Sequence, residues 1–115
     1  MKKFYAVSIL LMASVTLLAQ KTWNGGNGSW AVATNWSPNG VPAANATVTF
    51  NTGTAFTVTN VPNRTLNDIT VTGNTDVTLQ SAGAGGTITI ANSTGDDLGV
   101  AVGSILRLGS NFNIA

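Results

Sequence analysis

Beyond Phe50 the apolar residues of this chain fall at every second position, in short runs separated by glycine and asparagine. The runs are Phe56-Thr57-Val58-Thr59, Ile69-Thr70-Val71-Thr72, Val77-Thr78-Leu79-Gln80, Ile88-Thr89-Ile90-Ala91, Leu98-Gly99-Val100-Ala101, Ile105-Leu106-Arg107-Leu108 and Phe112-Asn113-Ile114-Ala115. Successive side chains of a strand point to opposite faces, so each run can turn one apolar face inward. The interleaved threonines then face outward, where β-branching favours the strand and the hydroxyl meets water. Val61-Pro62-Asn63-Arg64 and the glycine-rich Ser81–Gly86 read as breaks. No 3.6-residue apolar stripe comes after the leader, and Gly and β-branched residues fill that region, so helix has no support there.

A period is visible in the runs. Ile69-x-Val71-x-Gly73-Asn74 recurs at Ile88 and again at Leu106, offsets of nineteen and eighteen residues. A second series, Val77-x-Leu79 and Leu98-x-Val100, is offset by twenty-one. A repeat near twenty with two or more short strands predicts the coils of an all-β solenoid, equivalent strands stacking at ~4.8 Å. Short strands at such spacing also fit an antiparallel β-sandwich. The repeating pair of intervals and the Gly-Asn corners in phase with them favour the solenoid.

The stretch from Trp23 to Phe50 differs from the runs beyond it. It holds all three tryptophans, Trp23, Trp30 and Trp36, with Gly25, Gly26 and Gly28 among asparagines and a second turn at Ser37-Pro38-Asn39-Gly40. Glycine accepts φ > 0 without a Cβ clash and Pro presets φ, so both segments predict reversals. Ala46-Thr47-Val48-Thr49-Phe50 alternates as a half-buried strand does. Residues 20–51 therefore read as a Trp/Gly-rich cap, and residues 52–115 as coils of about twenty residues. Large aromatics in a small domain are packing elements first; exposed, the same rings could stack on sugars.

Ahead of the cap, Met1-Lys2-Lys3 is a basic start and Phe4 to Ala19 an uncharged, mostly apolar run. This is the plan of a secretory signal peptide over 1–19, with cleavage after Ala19 leaving Gln20 first. Leu17 departs from the small residue favoured there. The run nears the ~17–25 residues of a membrane span, but Ser8, Ser14, Thr16 and the small Ala19 favour cleavage. The chain is thus expected to be secreted or held at the cell surface, with no membrane span after cleavage.

The order W-x-x-G-x-G-x-W, N-W, G-x-P and a strand ending V-x-F is carried by Trp23, Gly26, Gly28, Trp30, Asn35, Trp36, Gly40, Pro42, Val48 and Phe50. It resembles the opening module of bacterial secreted proteins with autotransporter-associated β-strand repeats, and of long surface proteins of the Bacteroidetes type. That resemblance implies a right-handed parallel β-helix behind the cap, and an adhesin-like structural role.

Composition narrows the chemistry. Charged residues make up 8% of the 115, against ~25% in typical domains. The 43% apolar content opposes disorder. Cys and His are absent, and so is Glu, which excludes disulfides and a lipid-anchoring thiol and closes most routes to a base poised near neutral pH. After the leader, Lys21, Arg64 and Arg107 stand against Asp68, Asp76, Asp96 and Asp97. That near-neutral surface offers no footprint for nucleic acid. Asp96-Asp97 is the one acidic pair. Neighbours on an extended segment point apart, so it reads as a solvated corner rather than a Ca²⁺ or catalytic site. The N-x-S/T sequons at Asn27, Asn35, Asn45, Asn63 and Asn92 read as composition. The sequence thus names no catalytic, metal or cofactor residue and predicts a non-catalytic module.

Ala115 falls in what reads as a third coil, with no polar cap after it. The expectation is a fragment of a longer surface protein whose downstream coils continue the stack, or a chain that self-associates through its open edge. A glycan-binding module using the Trp-rich cap is the alternative role, with a glycan or a host or matrix surface as its partner.

Overall fold

The computed structural model describes residues 20–83, 85–91, 95 and 97–115. The signal peptide expected over 1–19 lies outside the described residues. Twelve short strands account for most of what is described, with one 3-10 turn at Ala33–Asn35. Among the described residues no helix is long and apolar enough to cross a membrane.

The strands are β1 (Gln20–Trp23), β2 (Gly28–Ser29), β3 (Trp36–Ser37), β4 (Thr47–Phe50), β5 (Ala55–Val61), β6 (Arg64–Leu66), β7 (Asp68–Val71), β8 (Asp76–Ser81), β9 (Gly86–Ile90), β10 (Leu98–Val100), β11 (Ile105–Leu108) and β12 (Phe112–Ile114). They form three sheets, ordered β3-β1-β4-β7-β10, β2-β5-β8-β11 and β6-β9-β12. From β4 onward, consecutive strands go to the first, second and third sheet in turn, and the next strand returns to the first. Three successive strands therefore make one rung, and each rung pairs with its neighbours only through parallel ladders. Only β3 runs antiparallel to its neighbour among the described residues, folding back on β1. An antiparallel sandwich would need the reverse proportion.

Alternation sets the inward face. Val48 and Phe50 of β4, Phe56 and Val58 of β5, Ile69 and Val71 of β7, and Val77 and Leu79 of β8 are buried, while the residues between them are half-buried. In-register pairing stacks like on like: Val48 on Ile69, Phe56 on Val77, Val58 on Leu79. A one-residue slip would send each of these outward, so the buried face fixes the register.

The repeat register read from the sequence is corrected here. Ile69, Ile88 and Leu106 lie in β7, β9 and β11, three different sheets, and Val77 and Leu98 are likewise in different sheets. The true column in the first sheet is Val48–Ile69–Leu98, with steps of twenty-one and twenty-nine residues. The physical reason is that strands of all three sheets carry the same two-residue apolar signature, so matching signatures does not identify matching sheets. Rung length varies most at one corner. Asn67 alone joins β6 to β7, whereas residues 91–97 join β9 to β10.

The corner between the first and second sheets is the regular one. Gly53, Gly73 and Gly103 occupy it in successive rungs, with φ of 72°, 70° and 83°. A Cβ at Gly53 would lie 3.3 Å from the Gly73 carbonyl oxygen, and one at Gly73 3.4 Å from that of Asn51. Hydroxyls tie the rungs at this corner: Gly53 N–H donates to Thr75 Oγ1 (3.0 Å) and Thr75 N–H to Ser104 Oγ (3.3 Å). Asparagine side chains do the same elsewhere. Asn27 Oδ1 accepts from Thr57 N–H (2.8 Å) and Asn63 Oδ1 from Thr87 N–H (2.7 Å).

Candidate functional site

The sequence nominated no catalytic, cofactor or metal residue, so the regions that bear on function are the cap, the acidic pair, the far rung and the outer faces.

At the cap, β1 carries Trp23 across from Trp36 on β3. Their rings meet edge-on at 5.0 Å, and Trp30 meets Trp36 at 4.7 Å in the same manner. Phe56 stacks beneath Trp23 at 6.1 Å with an interplanar angle of 12°, and Phe50 closes the cluster. These separations fall within the ~4.5–7 Å of favourable aromatic pairs. Trp36 Nε1 donates to Trp30 O (2.9 Å) and Trp23 Nε1 to Gly26 O (3.2 Å). Trp30 Nε1 is buried with no partner among the described residues.

The glycines serve this packing. A Cβ at Gly28 would sit 2.8 Å from Asn35 Nδ2, and one at Gly25 3.0 Å from the Trp23 ring. Asn35 is itself fixed by donating from Nδ2 to Ser29 O (3.0 Å). Lys21, on the inward face of β1 above Val48, is 8% exposed and donates from Nζ to Pro38 O at 2.9 Å. Pro38 follows a cis peptide bond in the Ser37–Gly40 turn.

All three tryptophans are at most 1% exposed. A sugar platform needs an open indole face, and these faces are covered by one another, by Phe50 and by Phe56. In a chain with so few other large side chains the rings go to the core, and the three tryptophans present no open stacking face.

Of the acidic pair, Asp96 lies outside the described residues. Asp97 is half-buried just before β10, and its backbone oxygen accepts from Ile69 N–H (3.0 Å). Asp68 Oδ2 accepts from Thr47 Oγ1 (3.3 Å), while its buried Oδ1 has no partner among the described residues. Among the described residues no three acidic, His or Cys side chains gather around a common point.

On the outer face of the second sheet, Arg107 reaches across one rung to Asp76, with Nε to Oδ1 at 2.9 Å and Nη2 to Oδ2 at 3.0 Å. Nothing in the sequence signals this pair, because it depends on the register between β8 and β11. The guanidinium's hydrogen bonds hold the Asp76 carboxyl below its ordinary value, against a smaller opposing effect of burial. Asn27, Thr57 and Thr78 join them around a shallow recess of about 240 Å³.

The far rung is the mirror case of the cap. Leu98 and Val100 stack on Ile69 and Val71, and Leu108 on Leu79. Ile69, Val71 and Leu79 are fully buried, whereas Leu98, Val100 and Leu108 are 43%, 44% and 44% exposed. Position along the strand is the same; what differs is that β10 and β11 are edge strands of their sheets among the described residues. Ile105 is also exposed, and Val102 stands fully in solvent at the turn between β10 and β11. Phe112, buried, closes part of the third side.

Comparison with protein-family models, with curated proteins and with solved structures finds no match to this chain.

Proposed function

We propose that the chain is a non-catalytic exported module: the cap and first rungs of a right-handed parallel β-helix at the N-terminal part of a longer, adhesin-like bacterial surface protein. One observation carries this reading. Leu98, Val100 and Leu108 of the β10–β12 rung are 43%, 44% and 44% exposed, whereas Ile69, Val71 and Leu79, on which they stack, are fully buried, and the strands beside them keep edges able to pair. Such a face has the chemistry of a rung awaiting another rung. The right hand follows from the twist that makes parallel crossovers right-handed. A neutral, threonine-rich exterior and a sequence lacking His, Cys and Glu suit a spacer or adhesive surface better than an enzyme. The basic-then-apolar leader supports export.

The test is to append a fourth rung copied from residues 68–91. Covering three half-exposed apolar side chains should add about 1 kcal/mol each. Chemical denaturation should show that gain, and hydrogen exchange should slow in β10–β12. An appended segment that exchanges freely and leaves stability unchanged would sink the proposal.

A further inference from the structure

Three asparagines of the cap precede glycine: Asn24, Asn27 and Asn39. At such a bond the glycine nitrogen can attack the asparagine side-chain carbonyl carbon, because no Cβ on the following residue obstructs the approach. The fold holds the three pairs differently.

Asn27 has its Oδ1 engaged by Thr57 N–H at 2.8 Å, and Gly28 is built into β2 opposite Val58. For Asn39 the attacking group is the one restrained: Gly40 N–H donates to Ala33 O at 3.1 Å. Asn24 is exposed and follows the end of β1. Its own N–H donates to Asn35 O (3.0 Å), yet neither its side-chain amide nor the Gly25 N–H has a partner among the described residues. Nor can the chain easily dispense with that glycine. A Cβ at position 25 would press on the Trp23 ring at 3.0 Å and on Asn35 Oδ1 at 3.1 Å. Packing of the cap therefore preserves the reactive bond.

We infer that Asn24 is a site of spontaneous deamidation, the first of the three to react in the folded protein. The Gly25 nitrogen gives up its proton to solvent base and bonds to Asn24 Cγ. The bond from Cγ to the amide nitrogen breaks, and ammonia leaves with the proton it needs. Water then opens the resulting five-membered imide at either carbonyl, giving aspartate or isoaspartate with no change of oxidation state. The isoaspartyl product threads one additional carbon into the main chain between Trp23 and Gly26. Those are the two residues joined by the Trp23 Nε1 to Gly26 O bond. Conversion thus places a carboxylate and a lengthened backbone at the rim of the aromatic cluster.

The experiment incubates the folded full chain at neutral and at mildly alkaline pH and follows the three sites by peptide mass mapping and isoaspartyl methyltransferase labelling. A denatured sample runs beside it. Releasing one protecting hydrogen bond costs about 1 kcal/mol, so Asn24 should convert about fivefold faster than Asn27 or Asn39 when folded. The rate should climb with pH, and the sites should draw level on denaturation. Asn24→Gln should abolish the early conversion while leaving the denaturation midpoint of fresh protein in place. The inference fails if Asn27 or Asn39 converts as fast as Asn24 in the folded chain. It fails equally if Asn24 persists there while the denatured chain converts.

Discussion

The two ends of the stack are built from the same strand geometry and finished in opposite ways. At one end β3 turns back on β1, the Asn45 N–H donates to Thr65 O of β6, the Ala46 carbonyl accepts from Asn67 N–H, and three indoles fill the interior. Backbone edges and apolar core are closed together. At the other end β10, β11 and β12 continue the ladders faithfully, but Leu98, Val100 and Leu108 face partly into water. The contrast shows that pairing strands and sealing a core are separate tasks. A parallel stack propagates by pairing alone; closing it needs chain devoted to reversal and bulk.

The largest expected effect lies at the closed end. Trp36→Ala removes the ring that touches both Trp23 and Trp30, and should cost about 3–5 kcal/mol in urea denaturation. Leu108→Ala at the open end should cost well under half of that. Equal losses would mean that the ends do not differ as described.

Next comes a comparison within one column. Ile69→Ala, fully buried, should cost about 2–5 kcal/mol, and Leu98→Ala, one rung on, under about 1.5 kcal/mol. A near-equal pair would indicate that the open rung is covered in solution. Gly73→Ala tests the corner that both ends share. Its φ of 70° and the Asn51 oxygen beside it should make it costlier than an exposed substitution, by about 1–2 kcal/mol.

Val100→Lys should leave the denaturation midpoint nearly unmoved while reducing concentration-dependent light scattering, since it puts charge on the open face. The smallest effect belongs to Asp76→Asn. The folded carboxyl titrates below its unfolded value, so the pair's contribution is present above the unfolded value and is lost as pH falls through the folded one. Both groups are solvent-accessible, which keeps the contribution small. Wild type and variant should differ slightly at neutral pH and converge in acid; a gap that widens in acid would contradict the sign.

Strand identity was readable because alternation is a local property. Ile69–Thr72, Val77–Gln80 and Ile105–Leu108 all fall within or one residue beyond observed strands. β6 gives no such signal: Arg64-Thr65-Leu66 offers one apolar residue where the other strands beyond Phe50 offer two or more. Sheet membership was not legible, since Ile69 and Ile88 look alike in sequence while lying in different sheets. The tryptophans could be located but their exposure could not. Burial of Trp30 depends on Trp36 and on the Trp30 N–H to Thr59 O bond (2.8 Å), a contact between residues far apart in the chain. The Asp76–Arg107 pair was invisible for the same reason.

The uneven corner between the third and first sheets has a consequence for how such a chain can change. One residue joins β6 to β7, and seven join β9 to β10, yet Val48, Ile69 and Leu98 remain in line. Length can therefore be gained there without disturbing the axial columns. Insertions at that edge can vary from rung to rung like labels clipped to a rail, leaving the rail itself unaltered.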